Sequence, residues 1–279
     1  MSHTPSHCGN CEAPLTGPYC AQCGQSAHES ARSMHALFHD GWHSITHLDG
    51  RLWHTLWLLL SRPGEVSRQF VANRRASFIP PFRLYLIISL VFFGLVGLTQ
   101  QGDVFRIDAG DSVNAEGCSQ MEVRPQWLAE RARAACLKIM ADRGESLRHV
   151  FIASLPRAMF FFLPLLAAAM LLLYWRPRRL YVEHLVFFLH NHSAVFLMGV
   201  LEMLLQLAAR NWPALEPVAS FIGLMLFCWL LAYLYLSMRR FYGQGRGRTV
   251  AKLLVIGTFY AVALALTVSL TAFYSALNV

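Results

Sequence analysis

Four cysteines set the first chemical question. Cys8, Cys11, Cys20 and Cys23 form two Cys-x-x-Cys pairs in "CGNCEAPLTGPYCAQCGQ", eight residues apart. Each pair belongs on a tight knuckle turn, and Gly24 supplies backbone freedom after the second. Four thiolates are the soft ligands that tetrahedral Zn²⁺ prefers, at about 2.3 Å each. About twenty residues cannot hold a hydrophobic core, so metal binding must supply most of the folding free energy of such a module. With four protein ligands and no open position, one Zn²⁺ per chain would be structural rather than catalytic. A pair of disulfides is the competing reading, disfavoured in a reducing compartment.

A second polar group sits in an unexpected place. "YVEHLVFFLHNHSAVFLMGVLEML" reads as a membrane span, yet it carries Glu183, His184, His190, Asn191, His192 and Glu202. Ionisable groups inside a span face a bundle interior or a water-filled cavity. At about 100° per residue, His184, Asn191 and Glu202 share one helical stripe, whereas His190 and His192 diverge by about 160°. Three uses compete: hydrogen bonds that fix helix packing, a cavity for a metal, proton or small polar ligand, and a catalytic site. The residues favour packing. No nucleophile, acidic dyad or HExxH accompanies them.

A third group lies between these. His35, His39, His43 and His47 recur every fourth residue beside Asp40. They could share a metal on a continuous helix, but Gly41 weakens that helix. An amphipathic segment with histidines along the headgroup boundary is the preferred reading. Cys118 and Cys136 are candidates for a disulfide in a loop outside the membrane, and Cys228 reads as a small buried hydrophobe within a span.

The elements that must carry these residues are mostly apolar helices. Of 279 residues, 55% are hydrophobic and only 14% charged, and the mean hydropathy is +0.39. A soluble domain averages about 25% charged residues. The fold class expected is an all-α polytopic membrane protein with a small N-terminal four-cysteine zinc ribbon. Five segments can span: 82–99, 156–175, 184–208, 217–238 and 252–275. Residues 1–25 form the ribbon, 26–50 the His-rich connector and 51–79 an interfacial amphipathic segment. Residues 80–279 form the transmembrane domain, interrupted by an external loop at 100–155. Within that loop, Trp127 to Arg143 has no breaker and favours helix. Near Met1 there is no apolar h-region, so a signal peptide is not expected.

The net charge of +8 marks topology rather than a nucleic-acid surface. Arg68, Arg74 and Arg75 precede the first span, Arg176, Arg178 and Arg179 follow the second, and Arg239, Arg240, Arg246, Arg248 and Lys252 follow the fourth. The 100–155 loop balances seven cations with eight anions. This alternation predicts a cytoplasmic N-terminus and a periplasmic C-terminus in a bacterial inner membrane. No nucleic-acid partner is expected, since Glu12 is the single charged residue between Cys8 and Gln25.

Several stretches in order resemble a known family. They are the double knuckle, "LDGRLWHTLWLLLSRPGEVSRQFVANRRASFIPPFRLYLIISLVFF", "YVEHLVFFLHNHSAVF" and "YLSMRRFYG". Together they are similar to a bacterial family of unknown function, multi-span inner-membrane proteins with an N-terminal zinc ribbon. Thr55, Leu56, Leu59, Arg62, Pro63 and Gly64 match its T-L-x-x-L-x-x-R-P-G segment. Arg74, Arg75, Pro81, Arg83, Leu84 and Tyr85 match its approach to the first span. The resemblance covers most of the chain except 100–150. It departs at Asn73, where the family usually has Gly, and in the His-rich connector.

The resemblance brings no activity, and the residues themselves favour a non-enzymatic membrane-anchored adaptor or regulator. Its expected partners are the lipid bilayer and a cytoplasmic protein at the ribbon. The alternative is a small transporter, homo-oligomeric because five spans are few, that uses the third-span polar residues. A membrane enzyme is the remote alternative.

Overall fold

A glycine with a positive backbone angle separates two short helices that precede the first span. In the computed structural model, which describes residues 6–27, 50–99, 118, 124–142, 144–175 and 179–278, α1 (Arg51–Ser61) ends at Arg62-Pro63-Gly64 and α2 (Glu65–Val71) begins. Proline lacks an N–H and resists the α conformation at the residue before it, so α1 cannot run on. Gly64 then takes φ 76°, a left-handed value that favours glycine. The histidine stripe at 35–47, Arg176 and Arg178 lie outside the described residues.

Five helices are long and apolar enough to cross a membrane. They are α3 (Pro81–Thr99), α5 (Glu145–Leu173), α6 (Tyr181–Asn211), α7 (Glu216–Tyr242) and α8 (Arg246–Leu277), with α4 (Gln126–Ala141) preceding α5. The protein is therefore a multi-pass membrane protein of all-helical class, carrying a four-cysteine cluster near its N-terminus. All five expected spans are present, and most are longer than expected. α5 starts at Glu145, so residues 145–155 of the expected loop are helical and continuous with the span. At 1.5 Å per residue its 29 residues reach about 43 Å, more than the roughly 30 Å hydrocarbon core.

The chain divides into two compact units. The first contains residues 1–89 and 163–258. Here α6 and α7 pair as a hairpin closed by the turn at Pro213–Leu215, and α2 packs against both, with α1 beside α2 and α6. The core between them is aromatic and aliphatic: Leu59, Val66, Phe70, Tyr85, Phe187, Phe188, Tyr233 and Phe241 are all buried. Arg83, near the start of α3, is buried within this unit.

The second unit contains residues 90–162 and 259–279. Cys118 and Cys136 are disulfide-bonded there, with Cα atoms 5.7 Å apart. The Asp142 carboxylate accepts hydrogen bonds from the Gly144 and Ser146 amides, each 3.1 Å, which satisfies donors at the start of α5.

The outward faces of the spans are apolar. Phe221, Leu224, Phe227 and Leu231 on α7 and Leu254, Leu266 and Leu270 on α8 are exposed, as a lipid-facing surface requires. Cys228, expected to be buried, is exposed on the same helix as the first four. A small weakly polar thiol can face lipid at little cost.

Candidate functional site

The cysteine module is built from two knuckles with the same hydrogen bonds. Cys8 N–H donates to Ala13 O and Glu12 N–H to Cys8 O, at 2.8 and 2.9 Å. Twelve residues on, Cys20 N–H donates to Gln25 O and Gly24 N–H to Cys20 O, both at 2.9 Å. Gly24 has φ 73°, and the equivalent Glu12 has φ 62°. The second knuckle meets the requirement with glycine; the first accepts the cost of a side chain there. Antiparallel bridges pair His7 with Pro14 and Tyr19 with Ser26, closing each turn.

These turns bring all four sulfurs within 4.8 Å of one another. Cys8 and Cys23 Sγ atoms are 3.5 Å apart, as are those of Cys11 and Cys20. A tetrahedral ion with bonds of about 2.3 Å separates its sulfurs by about 3.8 Å, so the cluster is of a size to hold a metal ion. Two of the four thiols are drawn toward ionisation and two are held back. The Cys23 backbone amide, against a smaller burial penalty, brings the Cys20 thiol down to about 6. At Cys8 burial opposes ionisation, but the Cys11 and Asn10 amides outweigh it and lower the thiol. The Ala13 amide favours ionisation of Cys11, yet burial and three neighbouring thiols push it up to about 12. Four thiolates this close need a cation between them.

Gln25 makes the buried attachment of the module. Gln25 Nε2 donates to Asn73 O at 2.8 Å, and its Oε1 accepts from the Arg75 and Ala76 amides, each at 3.1 Å. Gln25 is buried, and its three bonds satisfy one carbonyl and two amides of the 73–76 loop. At the rim Arg74 meets Glu12 at 3.1 Å and Ser77 Oγ donates to Asn10 Oδ1 at 3.2 Å. Asn73 has φ 68°. This is a left-handed backbone, which asparagine tolerates better than most non-glycine residues.

Residues 49–93 match a family described as "Protein of unknown function (DUF3667)". No curated protein and no solved structure matches the chain. The matched stretch covers α1, α2, the Gln25-binding loop and the first part of α3. Up to Ser89 it is the connecting segment of the first unit, held by the cysteine module on one side and by α6 and α7 on the other.

That second attachment uses the third-span polar residues. Ser67 Oγ and His190 Nδ1 are 3.0 Å apart, with the Phe70 ring edge-on to the imidazole. Gly64 lies against Ser237, where an added Cβ would sit 2.5 Å from the backbone oxygen. Arg240 donates to Pro63 O at 2.8 Å. Glu65 accepts from Arg68 Nε at 2.9 Å, and that guanidinium, with Gln69, holds its carboxyl below the usual range.

The remaining polar groups have separate partners. Asn191 accepts from Ser237 Oγ at 2.7 Å and donates to Phe187 O at 2.7 Å. His184 Nδ1 bonds the Tyr242 hydroxyl at 2.7 Å. His192 Nδ1 lies 3.0 Å from Phe188 O, between the Phe188 and Phe196 rings. Glu183 accepts from Arg179 at 3.3 Å. Glu202 accepts from Gln206 at 2.8 Å and sits against Gly223 of α7. Among the described residues, the four cysteines form the one group of His, Cys, Asp or Glu with the spacing of a metal site. Six polar residues on one span do not converge. Ser67, Ser237 and Tyr242, the partners of His190, Asn191 and His184, carry no pattern in the sequence that would have pointed to them. The Gln after Cys-x-x-Cys-Gly was visible, but its partner was not.

Proposed function

We propose that this is a non-enzymatic adaptor or regulator of a bacterial inner membrane, whose cytoplasmic N-terminal module binds one structural Zn²⁺. The metal assignment rests on four sulfurs within 4.8 Å and no position left for substrate. The orientation rests on the alternation of basic and near-neutral loops, and a reducing cytoplasm suits free thiols. The observation that carries the adaptor reading is the Gln25 clamp: the metal module is fastened to the segment leading into the first span. A protein bound to the module would thus act directly on that segment. Tyr19, 66% exposed on the module, offers an aromatic contact of the kind interfaces use.

The transporter reading draws less support, because each third-span polar residue has its own hydrogen-bond partner and the six do not converge on a shared space. α1 directs Trp53 and Trp57 outward, 75% and 73% exposed, as a segment resting in the headgroup layer would.

A photo-crosslinking residue at Tyr19 in cells should trap one cytoplasmic protein, and Cys20→Ser/Cys23→Ser should abolish the adduct. If no adduct forms while proteoliposomes take up a solute in a manner lost in His190→Leu, the adaptor reading gives way to the transporter. An alkaline-phosphatase fusion at Val279 should be active; an inactive one overturns the orientation.

A further inference from the structure

One cluster at the ends of four spans has chemistry that neither the metal module nor the α2 docking uses. Tyr174, at the end of α5, stacks on Tyr242 at the end of α7, with ring centroids 3.9 Å apart. His184, in the first turn of α6, lies 5.9 Å from Tyr174 and 5.7 Å from Tyr242. Lys252, in the second turn of α8, holds its ammonium 3.5 Å from the Tyr174 ring centroid. Arg179 lies 4.8 Å from the Phe241 centroid and 5.6 Å from that of Tyr242.

Two polar atoms in this cluster are buried without a hydrogen-bond partner: the Tyr174 hydroxyl and His184 Nε2. Tyr174 is 2% exposed and His184 0%. Such groups are costly unless something satisfies them. The Tyr242 hydroxyl has the His184 Nδ1 lone pair as its buried partner, and donating there leaves the imidazole proton on Nε2. Both unused atoms are then donors.

The local charge agrees. Arg179 is shared between Glu183 and the Phe241 carbonyl. No carboxylate lies within ion-pair distance of Lys252 among the described residues. From Met203 to Val279 the single acid is Glu216, against Arg210, Arg239, Arg240, Arg246, Arg248 and Lys252. Two donors with an unpaired ammonium call for an oxyanion. Trp175, Val250 and Leu254, all exposed beside the cluster, offer apolar surface for acyl chains. Basic pockets between spans recognise anionic headgroups in this way.

We propose that the Tyr174–His184–Lys252 cluster binds the phosphate of an anionic phospholipid, with Lys252 supplying charge and Tyr174 and His184 supplying hydrogen bonds. Lys252 lies across the Tyr174 ring, and its flexible stem is the part that swings aside to admit the headgroup.

Native mass spectrometry of the delipidated protein tests this with dioleoyl phosphatidylglycerol and dioleoyl phosphatidylcholine. The anionic lipid should bind several-fold tighter. Lys252→Gln should weaken it about fivefold, the effect of one basic side chain at an anionic surface. Tyr174→Phe should weaken it about threefold, the loss of one hydrogen bond. Arg210→Gln, at the opposite end of α6, should leave the preference unchanged. Thermal melting in neutral detergent reports whether each variant remains folded. Equal binding of the two lipids, or a folded Lys252→Gln with undiminished preference, overturns the proposal. Displacement of the lipid by millimolar inorganic phosphate overturns the lipid assignment in favour of a free oxyanion.

Discussion

The cysteine module and the third span are both conspicuous in the sequence, and they behave in opposite ways. Four cysteines across sixteen positions converge within 4.8 Å. Six polar residues across twenty positions of one helix each find a different partner: Arg179, Tyr242, Ser67, Ser237, a backbone carbonyl of the same helix, and Gln206. The difference is local geometry. A knuckle turn folds a Cys-x-x-Cys pair back on itself, so two ligands converge by construction, and the second knuckle has a single partner to find. A helix does the reverse. It holds His190 and His192 on diverging sides whatever surrounds them.

The largest effect should come from the module's own ligands. Cys20→Ser/Cys23→Ser should eliminate metal, measured as a fall from one equivalent to none, and should open residues 6–27 to protease while the spans stay protected. Structural zinc contributes of order 10 kcal/mol to such modules. Retained metal after both substitutions would mean that the convergence of the four sulfurs is not what binds it.

Gly64→Ala should come next. It places a side chain at φ 76° and a Cβ 2.5 Å from the Ser237 oxygen. A destabilisation of about 3 kcal/mol is expected from strain and displacement together, read as a lowered melting temperature in detergent. An unchanged melting temperature would mean that α2 does not pack tightly against α7.

Gln25→Ala should be milder and more selective. The buried Arg75 amide and the half-buried Ala76 amide lose their acceptor, costing about 2 kcal/mol. Metal content should stay at one equivalent while crosslinking between the module and residues 73–77 falls. Loss of metal together with docking would show that the module does not fold independently of the membrane domain.

Asn191→Leu should have the smallest effect, about 1 kcal/mol, because hydrogen bonds between spans average under that value. The Ser237 hydroxyl keeps the Leu234 carbonyl as a partner, 3.1 Å away. An effect several times larger, or loss of the Tyr19 crosslink without loss of stability, would indicate that the polar stripe does more than hold helices together.

The spans were legible because hydrocarbon leaves a chain few choices: an apolar run of about twenty residues must satisfy its backbone internally as a helix. The cysteine cluster was legible because its ligands sit four positions or fewer apart within each pair. The docking of residues 51–79 was less so. Trp53, Leu56, Trp57 and Leu60 recur at helical spacing, which indicates an amphipathic helix at the interface, and α1 does bury Thr55 and Leu59 while exposing both tryptophans. The same periodicity is silent about α2, only seven residues long, which buries Glu65, Val66, Ser67 and Phe70. A helix that short shows too few turns for its buried face to stand out, and two of its buried residues are polar.

By itself, then, the sequence determined the class of the protein: five apolar helices, one four-thiol module, and a polar face on the third span that had to meet protein or water. Those follow from local spacing and from the cost of polar groups in hydrocarbon. Only the tertiary structure decided what each polar group meets. Gln25 reaches across 48 residues to Asn73, and Ser67 across 123 to His190. Such pairings depend on how the helices assemble, and no periodicity within either partner encodes the other.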